Sequence, residues 1–272
     1  GHLIPGLTAL FCFGTLGARL LIWLVGATLA VARAGARPAP TPAIMLTERQ
    51  ENLLFALISE HIRSAEPVGS STIVEKHGFD VSPATIRIEL GALEDQGYIA
   101  QPHTSAGRIP TETGYRHFVE RMLAKGETLP AAKMKVTLPK DAEQAVKAVA
   151  KQLAEGTSTA VFVGFRPRHV YYTGLSLLFA QPEFQELGRI ARFSEIIDRL
   201  DDVVERVFPK VDTKVTVWLG RDNPFGGLCA TVVTRYGAGA HVVVIGLLGP
   251  LRMDYERNWQ LITAAQHLLE RV

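Results

Sequence analysis

Residues 81–110 read VSPATIRIELGALEDQGYIAQPHTSAGRIP, the pattern of a capped helix followed by a short hairpin. Ser82 can accept hydrogen bonds from the first free amides of a helix, and Pro83 stands at the one helical position where a missing N–H costs nothing. At 100° per residue Ile86, Leu90 and Leu93 share a stripe, while Ala84, Arg87, Ile88, Gly91 and Ala92 fall on the other side. The stripe is predicted to pack inward. The outward face is small-residue with one arginine, less charged than a merely solvated helix would be, and it suits close approach to the floor of a DNA groove. Beyond it, residues 98–101 alternate as a strand does, 102–107 are polar and turn-rich, and Arg108-Ile109 returns, so a hairpin is predicted.

The preceding residues extend this motif. Thr47 and Gln50 are spaced as a capping box, opening a helix whose inward face is Leu53, Leu54, Leu57, Ile58 and Ile62. The run EPVG at 66–69 breaks the chain. Ser70 or Ser71 then caps a short helix through Lys76 that ends at His77-Gly78, and Phe79 and Val81 hold the next turn. Three helices at this spacing predict a helix-turn-helix, the second crossing the duplex backbone and the third entering the major groove, with the hairpin as its wing. Thr85 and Arg87 are then the candidate base readers, joined by Ile88 on the same outward face. Ser82, with Ser71 and Thr72 of the short helix, and His103, Thr104, Ser105 and Arg108 of the wing, are candidates for fixing register on phosphates or in the minor groove. Pro110-Thr111 opens a fourth helix with Tyr115, Phe118, Val119 and Met122 facing inward.

These residues also carry a resemblance. GSSTI at 69–73 and SPATIRIELGALEDQGYIAQPHTSAGRIPTETGYRHFV at 82–119 closely resemble the N-terminal domain of the HrcA family of bacterial heat-inducible transcription repressors, with QPHTSAGRIPT close to a signature. GLS at 174–176 with AQPEF at 180–184, and IGLLGPLRMDY at 245–255, resemble later blocks of the same family, in the same order. The resemblance implies a cytoplasmic, dimeric repressor. It would bind a double-stranded inverted-repeat operator upstream of chaperone operons, be kept active by a GroEL-type chaperonin, and be released on heat stress. Two departures stand out. Family members usually carry asparagine where this chain has Ile88, which suits contact with a thymine methyl instead. The chain is also shorter than the family pattern between the strand-like 159–166 and the segment 169–178, so an inserted dimerising segment and part of the sheet are expected to be missing.

After a predicted linker at 126–140, residues 141–155 read as a helix with Ala145, Val146, Val149 and Leu153 inside. Strands are predicted at 160–163, 171–178, 214–219, 228–235 and 241–248, a helical stretch at 183–208, and a last helix at 255–271. Antiparallel strands with helices on one face make an α+β domain, for which the resemblance implies a reduced GAF-like fold. The expected organisation is an apolar leader at 1–44, a winged-helix DNA-binding domain at 45–125, the linker, and a regulatory and dimerising domain at 141–272.

Charge gives little guidance. The net +2 of the 272 residues is inflated by Arg19, Arg33 and Arg37 in a leader with no acid; from Met45 onward 26 basic residues face 27 acidic ones. Affinity for DNA must come from placement of a few basic groups and not from a broad field. The leader is apolar from residue 7 to 31 apart from Arg19, long enough to span a bilayer, so a membrane segment competes with a wrongly extended start upstream of Met45, and a membrane is a partner only if the leader is truly translated. Cys12 and Cys229 form no disulfide framework or metal spacing, and a reducing compartment fits. No hydrolase, metalloprotease or phosphate-loop motif is present, so neither an enzyme nor a cofactor is expected. Residues 222–227 have the composition of a turn, Cys229 reads as a buried small hydrophobe, and Arg252 and Asp254 either pair locally or shape a dimer contact. The competing readings are a winged-helix regulator controlled by a small molecule in its C-terminal domain, and a membrane-anchored adaptor.

Overall fold

The first helix of the computed structural model, α1 (Glu48–Ser64), buries Leu53, Leu54, Leu57 and Ile58 completely, whereas Ile62 in its last turn is half-buried. The structure describes residues 46–125, 132, 134, 136–166, 168–185, 187–237 and 239–271; the apolar leader and much of the expected linker lie outside them. The second helix, α2 (Ser70–His77), starts without the serine cap expected of Ser70 or Ser71. Gly69 takes the N-cap position in extended conformation and makes no side-chain cap bond. The cause is tertiary: Val68 exchanges both backbone hydrogen bonds with Arg108, at 2.9 Å each, which holds the chain extended up to the first helical residue. Gly78 closes α2 at φ +64°, a conformation that strains any residue with a Cβ. The third helix, α3 (Pro83–Asp95), begins as the sequence predicts: Ser82 Oγ accepts from the Thr85 amide at 3.2 Å, and Ile86, Leu90 and Leu93 are fully buried.

A buried carboxylate fastens α2 to α1. Glu60, 2% exposed, accepts from Lys76 Nζ and His77 Nε2 at 2.9 Å each and pairs with Arg63 at 2.7 Å. The hydrogen bond from Lys76 is the largest influence holding its carboxyl below the usual glutamate value, against the opposing effect of burial. A carboxyl whose pKa is depressed by folding stabilises the fold above its unfolded value, and that contribution fades as pH falls through the folded value. Glu60→Ala is therefore expected to cost about 1–3 kcal/mol at neutral pH, because its cationic partners are mostly exposed and rehydrate. The deficit relative to the parent should shrink below about pH 4.5 in denaturant titrations; a pH-independent deficit would contradict this role.

Strands β1 (Ile99–Ala100) and β2 (Ile109–Pro110) pair antiparallel, and the Val68–Arg108 bridge extends them. The fourth helix, α4 (Glu112–Lys125), is entered through Thr111, whose Oγ1 accepts from the Gly114 amide at 3.2 Å. Tyr115, Val119 and Met122 are buried; Phe118 is half-buried, edge-on to Phe55 at 5.2 Å between centroids.

The second half is α+β. Helix α5 (Ala142–Thr157), capped by Asp141, leads into β3 (Ala160–Arg166) and β4 (His169–Thr173). Helices α6 (Leu175–Phe179), α7 (Leu187–Asp198) and α8 (Leu200–Val207) follow, then β5 (Thr216–Leu219), β6 (Cys229–Tyr236), β7 (Val243–Pro250) and α9 (Tyr255–Leu269). The five strands form one antiparallel sheet in the order β4-β3-β7-β6-β5. Three expectations are corrected. The strand predicted at 171–178 stops at Thr173, because Gly174 turns left-handed at φ +79° and Leu175–Phe179 is helical. The helical stretch predicted at 183–208 is broken: Pro182–Phe184 is a single 3-10 turn, and Arg199 departs from helical geometry between α7 and α8. Helices cover both faces of the sheet and not one. Phe162, Val233 and Leu248 point into a cluster with Phe184, Phe193, Leu200 and Val204. Their alternate neighbours Val161, Val163 and Val232 are equally buried on the face that α5 and α9 cover.

Residues Glu48–Val272 form one compact unit. Arg116 of α4 pairs with Asp222 at 2.9 Å, Glu112 accepts from the Arg221 amide at 3.4 Å, and Tyr115 lies 6.0 Å from Tyr255, centroid to centroid. Among the described residues no helix is long and apolar enough to cross a membrane.

Candidate nucleic-acid interface

The outward side of α3 is bare. Ala84, Arg87 and Ile88 are exposed, Ile88 to 76%, and Gly91 and Ala92 are half-buried beside them. Among the described residues Arg87 makes no hydrogen bond or ion pair, so its guanidinium is uncommitted. Ser82 and Thr85 share a hydroxyl–hydroxyl hydrogen bond of 3.0 Å, which orients both at the start of the helix. Glu89, on the flank of the same helix, is held by Arg49 of α1 and so keeps its negative charge compensated next to this face. On α2, Ser71 is exposed and Thr72 half-buried.

The hairpin is organised from its base by Glu94, a residue the sequence reading passed over. Its carboxylate accepts from the Gln101 amide at 2.9 Å and from Arg108 Nε at 3.1 Å. Gln101 then donates its side-chain amide to the Thr104 and Ala106 carbonyls, at 3.1 and 2.8 Å, and the Ala106 amide closes on the His103 carbonyl at 2.8 Å. His103, Thr104 and Ser105 are thereby presented at an exposed tip. Arg108 does not join them as expected. Its side chain is 16% exposed and turned onto Glu94, so it shapes the hairpin instead of extending from it. The composition of the tip gave a signal for this arrangement: a glutamine before a polar turn can satisfy the carbonyls that the turn leaves open.

Gly107 permits the hairpin to lie against the strand entering α2. A Cβ there would stand 2.5–2.8 Å from backbone atoms of Val68, which cannot move without breaking the bridge to Arg108. Gly107→Ala is expected to cost about 1–3 kcal/mol of stability, in the range of overpacked sites, and to make residues 102–106 more sensitive to limited proteolysis. Unchanged melting together with unchanged cleavage would count against this packing role.

The two residues singled out near the C-terminus do different things. Asp254 caps α9, accepting from the Arg257 amide at 3.0 Å. Arg252 donates to Glu183 at 2.5 and 3.3 Å, to Gln181 Oε1 at 3.0 Å and, outside its own half of the protein, to the Ile62 carbonyl of α1 at 2.6 Å. Arg252 thus joins the blocks at 180–184 and 245–255. In the turn before β6, Asn223 is buried and bonded to the Cys229 carbonyl, the Phe225 amide and Thr231. Burial pushes the Cys229 thiol up to about 12, which keeps it protonated near neutral pH, as befits a packed side chain.

The architecture is that of an α+β protein with a GAF-like five-stranded sheet preceded by a helical unit carrying a short hairpin. The family model described as HrcA protein C terminal domain matches residues 115–258, and the chain belongs to the HrcA family. It is similar to the heat-inducible transcription repressor HrcA of Natranaerobius thermophilus, 45% identical over 125 residues that cover 44% of this chain and 36% of that one. The protein of the same name from Streptomyces avermitilis is 55% identical over 78 residues, 29% of this chain and 23% of its own length. The matched parts therefore span well under half of these relatives. A solved structure described as that of a hypothetical protein shares the fold, with a TM-score of 0.73 at 20% identity, covering 84% of this chain and 98% of that one.

Proposed function

We propose that the chain is a repressor of chaperone genes that binds an inverted-repeat operator as a homodimer through a winged helix-turn-helix at 45–125. The observation that carries this reading is the open face of α3, where the uncommitted Arg87 stands between exposed Ala84 and Ile88. In this reading α3 lies in the major groove, with Arg87 and Thr85 reading base edges and Ile88 pressed on a thymine methyl. Ser82, Ser71 and Thr72 meet phosphates, and His103, Thr104 and Ser105 reach the adjacent backbone or minor groove. Arg108 contributes through Glu94 by holding the wing. Two subunits joined through residues 141–272 present their α3 helices to half-sites one helical turn apart, or a multiple of it. The names of the relatives and the resemblance of 69–73 and 82–119 support repression relieved on heating, with a GroEL-type chaperonin maintaining the active form in the cytoplasm.

The test is fluorescence anisotropy of the full chain on an inverted repeat from a chaperone promoter and on a scrambled duplex, at fixed salt, with and without GroEL. Preference for the repeat, improved by chaperonin, is expected; equal binding to both duplexes would overturn the reading. Ile88→Asn is expected to move the preferred facing base from thymine toward adenine, worth about 1–3 kcal/mol of discrimination, measured by competition between duplexes differing at one base pair.

A second reading, control by a small molecule, is favoured by one feature. A cavity of about 740 Å³ lies between the start of α5, the β3–β4 turn and the end of α9, with Val146, Phe165, Tyr236, His241 and Leu269 among its walls. The hydroxyl of Tyr236, one of its walls, is buried and has no hydrogen-bond partner among the described residues. A compound that raises the melting temperature and alters operator affinity in the parent but not in Tyr236→Phe would support this reading.

A further inference from the structure

We infer that Arg252 is a positioning residue for DNA binding: it fixes the orientation of the helix-turn-helix unit against the sheet, and through it the spacing of the two recognition helices in a dimer. The inference rests on the proposed DNA-binding function. Its basis is the geometry of one guanidinium, 12% exposed, whose acceptors come from two distant parts of the chain. Nε and Nη2 grip both oxygens of Glu183, and Nη2 also meets Gln181. That two-pronged grip fixes the plane of the group, because a guanidinium is rigid and its five N–H vectors are set once two are engaged. The direction of Nη1 is then determined, and it meets the Ile62 carbonyl at 2.6 Å.

The choice of that carbonyl matters. Ile62 lies in the last turn of α1, where carbonyls lack intrahelical partners and the helix dipole presents its negative end. The cation therefore holds α1 by its terminus, along a direction dictated by the 180–184 segment. Since α1 carries α2 through Glu60 and α3 through the Arg49–Glu89 pair and the packing of the two helices, aiming α1 aims the recognition helix. The second attachment, between Glu112 and Arg116 on α4 and the 219–222 segment, restrains the other side of the unit but is more solvent-exposed.

A point charge could not do this. Lysine would keep the attraction to Glu183 and to the helix end but would lose the fork, so charge and positioning can be separated experimentally. In the full chain, Arg252→Ala and Arg252→Lys are expected to bind a duplex carrying a single half-site within about twofold of the parent. On the inverted repeat both should lose about tenfold or more, and tolerate half-site spacings altered by a few base pairs that the parent rejects. A Lys variant that restores full affinity and spacing selectivity would overturn the inference, as would unchanged selectivity in Arg252→Ala. A DNA-free readout separates this from failure of the functional reading. Spin labels at Glu75→Cys and Glu256→Cys, both exposed positions, should give a narrow distance distribution in the parent and a broad one in the Arg252 variants. If the parent binds no DNA, repression fails as a function while the labels still test the bracket; if the distribution stays narrow in Arg252→Ala, the bracket is wrong whatever the DNA result.

Discussion

Arg87→Ala is expected to weaken binding to the inverted repeat by about 1–3 kcal/mol per half-site, the worth of a good bidentate contact to a base, and so by roughly 30- to 25,000-fold for a symmetric dimer in which both contacts are lost. The folded protein should not register the change, because Arg87 has no partner among the described residues. Melting temperature within a degree of the parent together with collapse of anisotropy on the specific duplex is the expected pair of results. The discriminating quantity is the ratio of specific to scrambled affinity. A phosphate contact would lower both equally and flatten the salt slope by about one charge per site, whereas a base reader lowers the specific term alone. Affinity for both duplexes equal to the parent's would remove Arg87 from the interface.

The largest effect on stability is expected from Phe193→Ala. Phe193 is fully buried and meets Phe184 and Phe179 edge-on, at 5.2 and 5.7 Å between centroids. Deleting such a ring costs about 3–5 kcal/mol in lost transfer energy and residual cavity. Phe184 directly follows Glu183, the principal acceptor of Arg252. Loosening this aromatic cluster therefore releases the 180–184 segment that aims α1, and loss of operator binding on warming should shift to lower temperature along with global unfolding. Chemical denaturation gives the first quantity and anisotropy against temperature the second. A variant that unfolds earlier yet holds DNA up to its own melting point with parental spacing selectivity would show that the cluster supports the sheet alone.

These two residues also show what was legible in the sequence. The stripe of Ile86, Leu90 and Leu93, the Ser82 cap and the bare opposite face are local properties, set within one helix by a period of 3.6, and each can be read without knowing what lies nearby. Four of the strands were legible as local apolar runs as well, whereas the one expected at 171–178 lies at His169–Thr173, because the left-handed turn at Gly174 hands the following apolar residues to a helix. The covering of the sheet was less legible, although β3, β6 and β7 carry nearly continuous apolar runs instead of alternation, the mark of strands buried on both faces. Glu60 was invisible because a lone glutamate on an amphipathic helix reads as solvated, and its partners Lys76 and His77 belong to another helix. Arg252 was legible as a marked residue but not as a bracket, since its acceptors lie far along the chain in Ile62, Gln181 and Glu183. Arg108 looked like a donor for phosphate only because Glu94, which turns it inward, contacts it through tertiary geometry.

Ile88 is the most exposed large apolar side chain among the described residues. In the proposed complex, pressing it onto a thymine methyl would expel water but liberate no counterions, so its share of recognition would be insensitive to ionic strength, unlike that of cationic groups on phosphates. As salt rises, total affinity would decline while preference for the methyl-bearing base endures, and burial of that side chain would add a negative heat-capacity increment to complex formation.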